Sequence, residues 1–534
     1  MKQMPCGEAL MKLLEGYGVD TVFGIPGDHT LDLYRGFVNR NIRHVLVRNE
    51  QGAGFMADGY ARASGRPGVC TLITGPGVTN AATPLGQAYA DSIPVLLISA
   101  ANERQSLGKG WGCLHEVSDQ RAVTAPLTAF SAMVSSPDEI PELIGQAFTV
   151  FASHRPRPVH ISIPIDVLAM CVDGDWQPRT PPVRPAPAGS AVDAVVALLG
   201  EAQRPMLVVG GGAVDAGTSV RELAEWLDAT VIASNAGKGV VPDDHPLSLG
   251  GSLMRDSVRD HLATADVVLS IGSELSETDS FVDHLPINGR LIRVDIDAAK
   301  FNDNYPADIG VLSDAGAAVT AILKGLRLQG ADCGRSATAA ELEVVRRAMV
   351  SELSSIEAQH KVLLDGLRPL LSADAIIMGD IAQLVYTGST VMPVKFPRRW
   401  FYPAGFATLG CALPGAIGAK LAMPDAPVIA LVGDGGFMFT VQELMTAIEM
   451  KLTIPIIIWN NNCLAMIRDG FNSRGIPPIG VNQLNPDFVK LAQAFGCAGE
   501  RVSSLGDLNS VMTRALAAQG PTVIEVREGA DWLT

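Results

Sequence analysis

The run Val428 to Val432 (VIALV) is apolar throughout and breaks at Gly433-Asp434-Gly435-Gly436, and no other junction in the chain constrains its fold as strongly. A short apolar run closed by glycine reads as a strand buried on both faces, the kind that parallel sheets contain. Gln442 to Lys451 has helical spacing, and Ile454 to Trp459 is a second apolar run that leads into Asn460-Asn461-Asn462. A strand, turn, helix and returning strand bring the ends of two neighbouring parallel strands to one sheet edge, where open α/β sheets bind ligands. Asp434 and Asn461, 27 positions apart, are therefore expected to face one cavity.

The residue types at that edge suit a divalent metal and a diphosphate. Gly435 and Gly436 let backbone N–H groups approach phosphate oxygens, while Asp434 supplies a hard anionic oxygen and Asn461 a neutral one. Mg²⁺ takes octahedral oxygen coordination, usually from one or two carboxylates together with phosphates. A Gly-Asp-Gly turn alone is common. The asparagine run behind a second strand is what turns it into a site.

Gly433 to Asn461 resembles the thiamine diphosphate (ThDP) fingerprint of enzymes such as acetolactate synthase and pyruvate decarboxylase, and the similarity extends over nearly the whole chain. The resemblance implies an α/β fold of three doubly wound parallel-sheet domains: pyrimidine-binding, central and diphosphate-binding. It also implies that Asp434, Asn461 and the backbone carbonyl of Cys463 hold the Mg²⁺ that anchors the diphosphate. Gly433, Gly435, Gly436, Leu464 and Ala465 would border the cofactor.

Glu50 ends the strand-like stretch Val45 to Asn49 and precedes a glycine-containing helix start. In the family that glutamate bonds the 1' nitrogen of the aminopyrimidine. A carboxyl in an apolar cleft can share a proton with the ring, which makes the 4' nitrogen a base. Thr74-Gly75-Pro76-Gly77-Val78-Thr79-Asn80 follows the apolar strand Val69 to Ile73, and the resemblance places Pro76 and Asn80 at the aminopyrimidine pocket. The metal site then comes from another subunit, so self-association as a dimer or tetramer with active sites between subunits is implied.

In Ala404 to Gly410 the resemblance makes Leu409 the wedge between the cofactor rings and Ala407 the residue whose carbonyl accepts from the 4'-amino group. The family often has glycine at that position, so Ala407 is a departure. Gly379-Asp380-Ile381-Ala382-Gln383 is similar to the turn that contacts the diphosphate, through Ala382 and Gln383. Leu384 stands where acetolactate synthases tend to carry histidine.

With 534 residues and 47% hydrophobic content, the chain is expected to form about three domains. Residues 173 to 190 are proline-rich and read as an extended linker, and a polar stretch from Leu328 to Thr338 reads as a second. The expected units are 1–172, 190–327 and 340–534, the first and third being duplicated folds. In the central unit, Pro205 to Gly212 is a strand entering a glycine turn, but the G-x-G-x-x-G spacing is not met, so FAD is not favoured there. A net charge of −15 argues against nucleic acid and anionic membrane as partners. Eight scattered cysteines without a CxxC pair point to a reducing compartment, and the absence of a membrane-length apolar run or a signal-like start to a cytoplasmic protein.

The reaction depends on residues outside the cofactor fingerprint. Asp28 and His115 stand where the resemblance to pyruvate decarboxylases puts an acid and a histidine that relay a proton to the carbon from which CO₂ departs. Ile467 stands where those enzymes carry a catalytic glutamate. Stretches around His115 to Arg121, Arg155 to Ile161 and Ile467 to Gly480 resemble bacterial decarboxylases of 5-guanidino-2-oxopentanoate. A guanidinium substrate calls for a carboxylate, and Asp28, Glu116 and Asp469 are the candidates beside Met466 and Ile467. The run Asn462 to Met466 is markedly apolar, so an uncharged or hydrophobic 2-oxo acid is a serious competitor. A carboligase of acetolactate-synthase type and a catalytically silent ThDP-binding regulatory subunit are the alternatives.

Overall fold

The computed structural model describes residues 3–330 and 338–534. Most of the polar stretch Leu328 to Thr338, and the first two residues of the N-terminus, lie outside the described residues.

Three parallel sheets carry the chain. The first runs Arg43–Leu46, Thr21–Gly24, Gly68–Leu72, Val95–Ala101, Val159–Pro164, Phe130–Met133 in spatial order. The third runs Trp400–Phe401, Ile376–Gly379, Val428–Gly433, Ile454–Asn460, Pro521–Arg527, Ala498–Arg501. Numbered along the chain, both have the order 2-1-3-4-6-5, so the first and third units share one topology. The central sheet has five strands, with Pro205–Val209 between Thr230–Ala233 and Val267–Ile271. In each outer sheet the order reverses between its first and third strands. Loops diverge there and leave a crevice at the strand ends.

Valine, isoleucine and leucine fill these strands because both faces are covered by helices. The helix Glu50–Ser64 starts at an Asn49 cap whose side chain accepts from Gln51 N, and ends at Gly65 with φ 72°. Its small residues let it lie directly on the helix Ala412–Ala422: a Cβ on Gly59 would come within 2.1 Å of the Gly415 carbonyl oxygen, and one on Gly418 within 1.9 Å of that of Met56. One hydrophobic core therefore runs through the first and third units, from Phe23 and Met56 to Ala416 and Ile458. The central unit keeps its own core around Leu207, Leu269 and Val319. The helix Thr338–Ser351, most of which the sequence reading gives to the C-terminal unit, lays Leu342 and Met349 against the central sheet's other face.

Candidate active site

Asp434 and Asn461 each follow the end of one of two paired strands, in which Gly433 lies opposite Trp459. Asp434 is 3% exposed. Its Oδ1 accepts from Gly435 N at 2.8 Å, and its Oδ2 from Asn462 N at 2.6 Å, Asn461 N at 3.2 Å and Asn485 Nδ2 at 2.7 Å. Burial pushes the carboxyl above the usual range while these donors pull it down. Asn461 Nδ2 donates to Glu528 at 3.2 Å, which settles the amide orientation, and its Oδ1 accepts from Cys463 N at 3.1 Å. Asn462 takes φ 54°, a conformation asparagine tolerates, and so turns the chain toward Cys463.

One carboxylate, one amide oxygen and one peptide carbonyl make a hard-oxygen set that suits Mg²⁺ completed by phosphate, and no group of three His, Cys, Asp or Glu that could hold a metal occurs among the described residues. The surrounding cradle accommodates such a group. Ala382 lies beside Gly433, and Asp380 beside Gly436. The buried Gln483 Oε1 has no hydrogen-bond partner among the described residues and faces Gly435, where a Cβ would come within 2.8 Å of it. Leu464 N donates to Val481 O, so the segment carrying Gln483 and Asn485 folds over the cradle.

Asp380 fastens the neighbouring segment. It is 1% exposed and accepts from Gly410 N at 3.0 Å, Ala412 N at 3.2 Å and Ile381 N at 2.8 Å, while burial pushes its carboxyl up to about 6. From the first unit, Asp91 takes Gly405 N at 2.8 Å and Gln87 takes the Thr408 hydroxyl at 3.1 Å. Ala407 has φ 56°, the left-handed region where glycine is at ease, which gives the glycine preference at this position a physical reason. Leu409 is half-buried and Ala407 exposed. Gln383 opens the helix Gln383–Val391 with Nε2 3.9 Å from the Met466 sulfur, whereas Leu384 points into the core. Ala465 is buried; Met466 and Ile467 are exposed.

The first unit builds a second constellation. Glu50 Oε2 accepts from Asn80 Nδ2 at 2.9 Å, and Pro76 starts the helix that carries Asn80. Gly75 precedes it at φ 67°, where a Cβ would meet the His115 carbonyl oxygen at 2.5 Å. Gly75 N donates to Gln120 Oε1 at 2.8 Å, and Gln120 is fixed in turn by Ser99, Ala100 and Ser162. His29 Nδ1 lies 2.9 Å from Thr74 Oγ1, across the point where the strand order reverses. Its ring meets that of His115 edge-on at 5.5 Å. Burial and the neighbouring His115 hold His29 below the usual imidazole value. Asp28, next to it, is exposed and without a hydrogen bond or ion pair among the described residues.

Two of the three carboxylates considered for a substrate guanidinium are engaged. Both oxygens of Glu116 are filled by Gly110, Trp111, Gly112 and Cys113 N–H groups, so it clasps its own loop. Asp469 pairs with Arg468 at 2.9 Å on the surface. Sequence reasoning gave no role to Asn485, Gln483, Gln120, Glu528 or His29, of which His29 lies beside Asp28 and Gln120 within the stretch His115 to Arg121.

Family models describe three parts of the chain as thiamine pyrophosphate enzyme domains: the N-terminal TPP binding domain over residues 4–123, the central domain over 192–322 and the C-terminal TPP binding domain over 380–526. The chain is 49% identical over 529 residues, 98% of its length and 94% of the relative's, to a protein of Pseudomonas aeruginosa named as a probable 2-ketoarginine decarboxylase. It is 33% identical to an acetolactate synthase of Mycobacterium bovis, over 99% of this chain and 89% of the relative. It is 30% identical to the large subunit of acetolactate synthase isozyme 1 of Escherichia coli, over 99% of this chain and 95% of the relative.

Proposed function

We propose that this chain, which belongs to the thiamine pyrophosphate enzyme family, is a ThDP- and Mg²⁺-dependent decarboxylase that converts a 2-oxo acid to an aldehyde, with 5-guanidino-2-oxopentanoate as its substrate. ThDP, when bound, would supply the thiazolium that accepts the electrons released with CO₂. The chain's own residues do the rest. Glu50, aimed by Asn80, shares the pyrimidine proton. Asp434, Asn461 and the Cys463 carbonyl would hold the metal, and Leu409 and Ala407 would set the cofactor's bent shape. Asp28 and His115 deliver the proton that makes the aldehyde. The observation that supports this reading is the meeting of the His115 and His29 rings, with His29 next to Asp28 in sequence and bonded to Thr74 on the turn that leads into the helix of Asn80, Glu50's partner.

The substrate assignment rests on the Pseudomonas relative's name. With Glu116 engaged by its loop and Asp469 paired with Arg468, Asp28 remains to receive a guanidinium. The test is a panel of 5-guanidino-2-oxopentanoate, pyruvate and a branched-chain 2-oxo acid, assayed for CO₂, aldehyde and acyloin. Acyloin as the main product would favour an acetolactate-synthase-like carboligase; cofactor binding without turnover would favour a silent subunit.

The active protein is a cytoplasmic homo-oligomer in this reading, with each site completed by a second copy. Among the described residues no hydrogen bond or ion pair joins Glu50, Asp28 or His115 to segments 380–383, 407–410 or 433–466. Large apolar side chains stand exposed beside both constellations, Leu31, Trp111 and Leu114 in the first unit and Phe406, Phe439 and Ile467 in the third. No helix among the described residues is long and apolar enough to cross a membrane. FAD is not part of the proposal. In the central glycine turn, Gly210, Gly212 and Ala213 N–H groups are spent on carbonyls of Ile271, Gly272 and Gly210, which leaves little to cradle a phosphate.

A further inference from the structure

We infer that Glu443 is a positioning residue for Glu50, acting from the third unit on the helix turn that presents the glutamate; this rests on the assignment of Glu50 above. Glu443 is fully buried, and among the described residues no cation side chain forms an ion pair with its carboxylate. Its oxygens accept instead from the backbone just ahead of Glu50: Arg48 N at 3.1 and 3.2 Å and Asn49 N at 3.0 Å. Thr446 completes the clamp, its hydroxyl lying 2.9 Å from Glu443 Oε2 and 3.2 Å from Leu46 O. Leu46 O, Arg48 N and Asn49 N, between the end of the strand Arg43–Leu46 and the start of the helix Glu50–Ser64, are thus gripped from across the domain boundary.

The sequence around Glu50 is shaped to receive this carboxylate. A Cβ on Gly52 would come within 2.3 Å of Glu443 Oε1, so a glycine two residues beyond Glu50 is what leaves room for it. Asn49 keeps its side chain for Gln51 N, which frees its own N–H for Glu443. A buried carboxylate is costly unless charge-assisted hydrogen bonds saturate it, and these backbone donors do so. Proton sharing with a ring nitrogen demands a heavy-atom approach of about 3 Å, and a misplacement of about 1 Å can cost on the order of 100-fold in rate. Glu443 removes that freedom at the two residues preceding Glu50.

Glu443→Gln keeps the size but turns an NH₂ toward backbone N–H groups, and Glu443→Asp keeps the charge with a shorter reach. In the cofactor-free protein, amide hydrogen exchange over residues 46–52 is expected to rise about tenfold or more in Glu443→Gln and less in Glu443→Asp, with other segments unchanged. With Mg²⁺ present, calorimetry should give ThDP affinity within about twofold of the parent, while kcat falls about tenfold or more at nearly constant KM and Glu443→Asp recovers part of it. Parental exchange over 46–52, or exchange raised throughout the chain, overturns the inference. Failure of the Glu50 assignment would show elsewhere, as parental turnover in Glu50→Gln with the Glu443 exchange pattern intact.

Discussion

Asn80 Nδ2 donates to Glu50 Oε2 across 2.9 Å, so a side chain on one helix aims the carboxylate that opens another. Because that carboxylate is assigned to proton sharing, Glu50→Gln is expected to fold and bind cofactor yet lose about 100-fold or more in kcat, since an amide cannot exchange the proton. Turnover near the parental level with the best 2-oxo acid would remove Glu50 from the chemistry.

Asp434→Ala should abolish Mg²⁺-dependent ThDP binding in calorimetry while far-ultraviolet circular dichroism stays parental. The side chain is the one charged group proposed for the metal, and it also holds the Asn461–Asn462 turn. Parental affinity in the variant would refute the metal assignment.

His115→Gln should lower the aldehyde-to-acyloin ratio measured with excess acetaldehyde. An imidazole can deliver a proton, whereas an amide hydrogen-bonds without delivering one. An unchanged ratio would take His115 out of the product-forming step.

Ala407→Gly should stabilise the cofactor-free protein by roughly 0.5–1 kcal/mol, the relief of a left-handed alanine less the added chain entropy of glycine. The midpoint of denaturant unfolding reports it, and a lower midpoint would show that the surrounding contacts outweigh the backbone term.

Asp380 gives a pH signature. Its folded value, about 6, lies above the ordinary carboxyl value, so the stability it contributes is complete below the unfolded value and lost as pH rises through about 6. Asp380→Asn, neutral throughout, should therefore gain on the parent between pH 4 and pH 7 in thermal unfolding; parallel curves would contradict the buried titration.

What the sequence disclosed and what it hid divide along chain distance. Asp434 and Asn461 were legible because one strand, one helix and one returning strand separate them, and that spacing has few geometric solutions. The strand Gly68–Leu72 and the turn behind it were legible for the same reason. Asn485 reaches Asp434 from a loop 51 residues on, and Gln120 reaches Gly75 from 45 residues on, so no local pattern announces either. Glu116 shows the opposite error. Its charge suggested a substrate contact, but the glycine-rich loop before it offers four N–H groups that local spacing could not weigh against a ligand.

The single core shared by the helices Glu50–Ser64 and Ala412–Ala422 has a consequence for synthesis on the ribosome. The first helix leaves the exit tunnel with its glycine- and alanine-lined face bare, and its partner lies some 350 residues downstream. At translation rates of about 5–20 residues per second, that face waits roughly 20–70 s for the segment that covers it. During this interval a nascent chain can be captured by chaperones or by the same face of a neighbouring nascent chain.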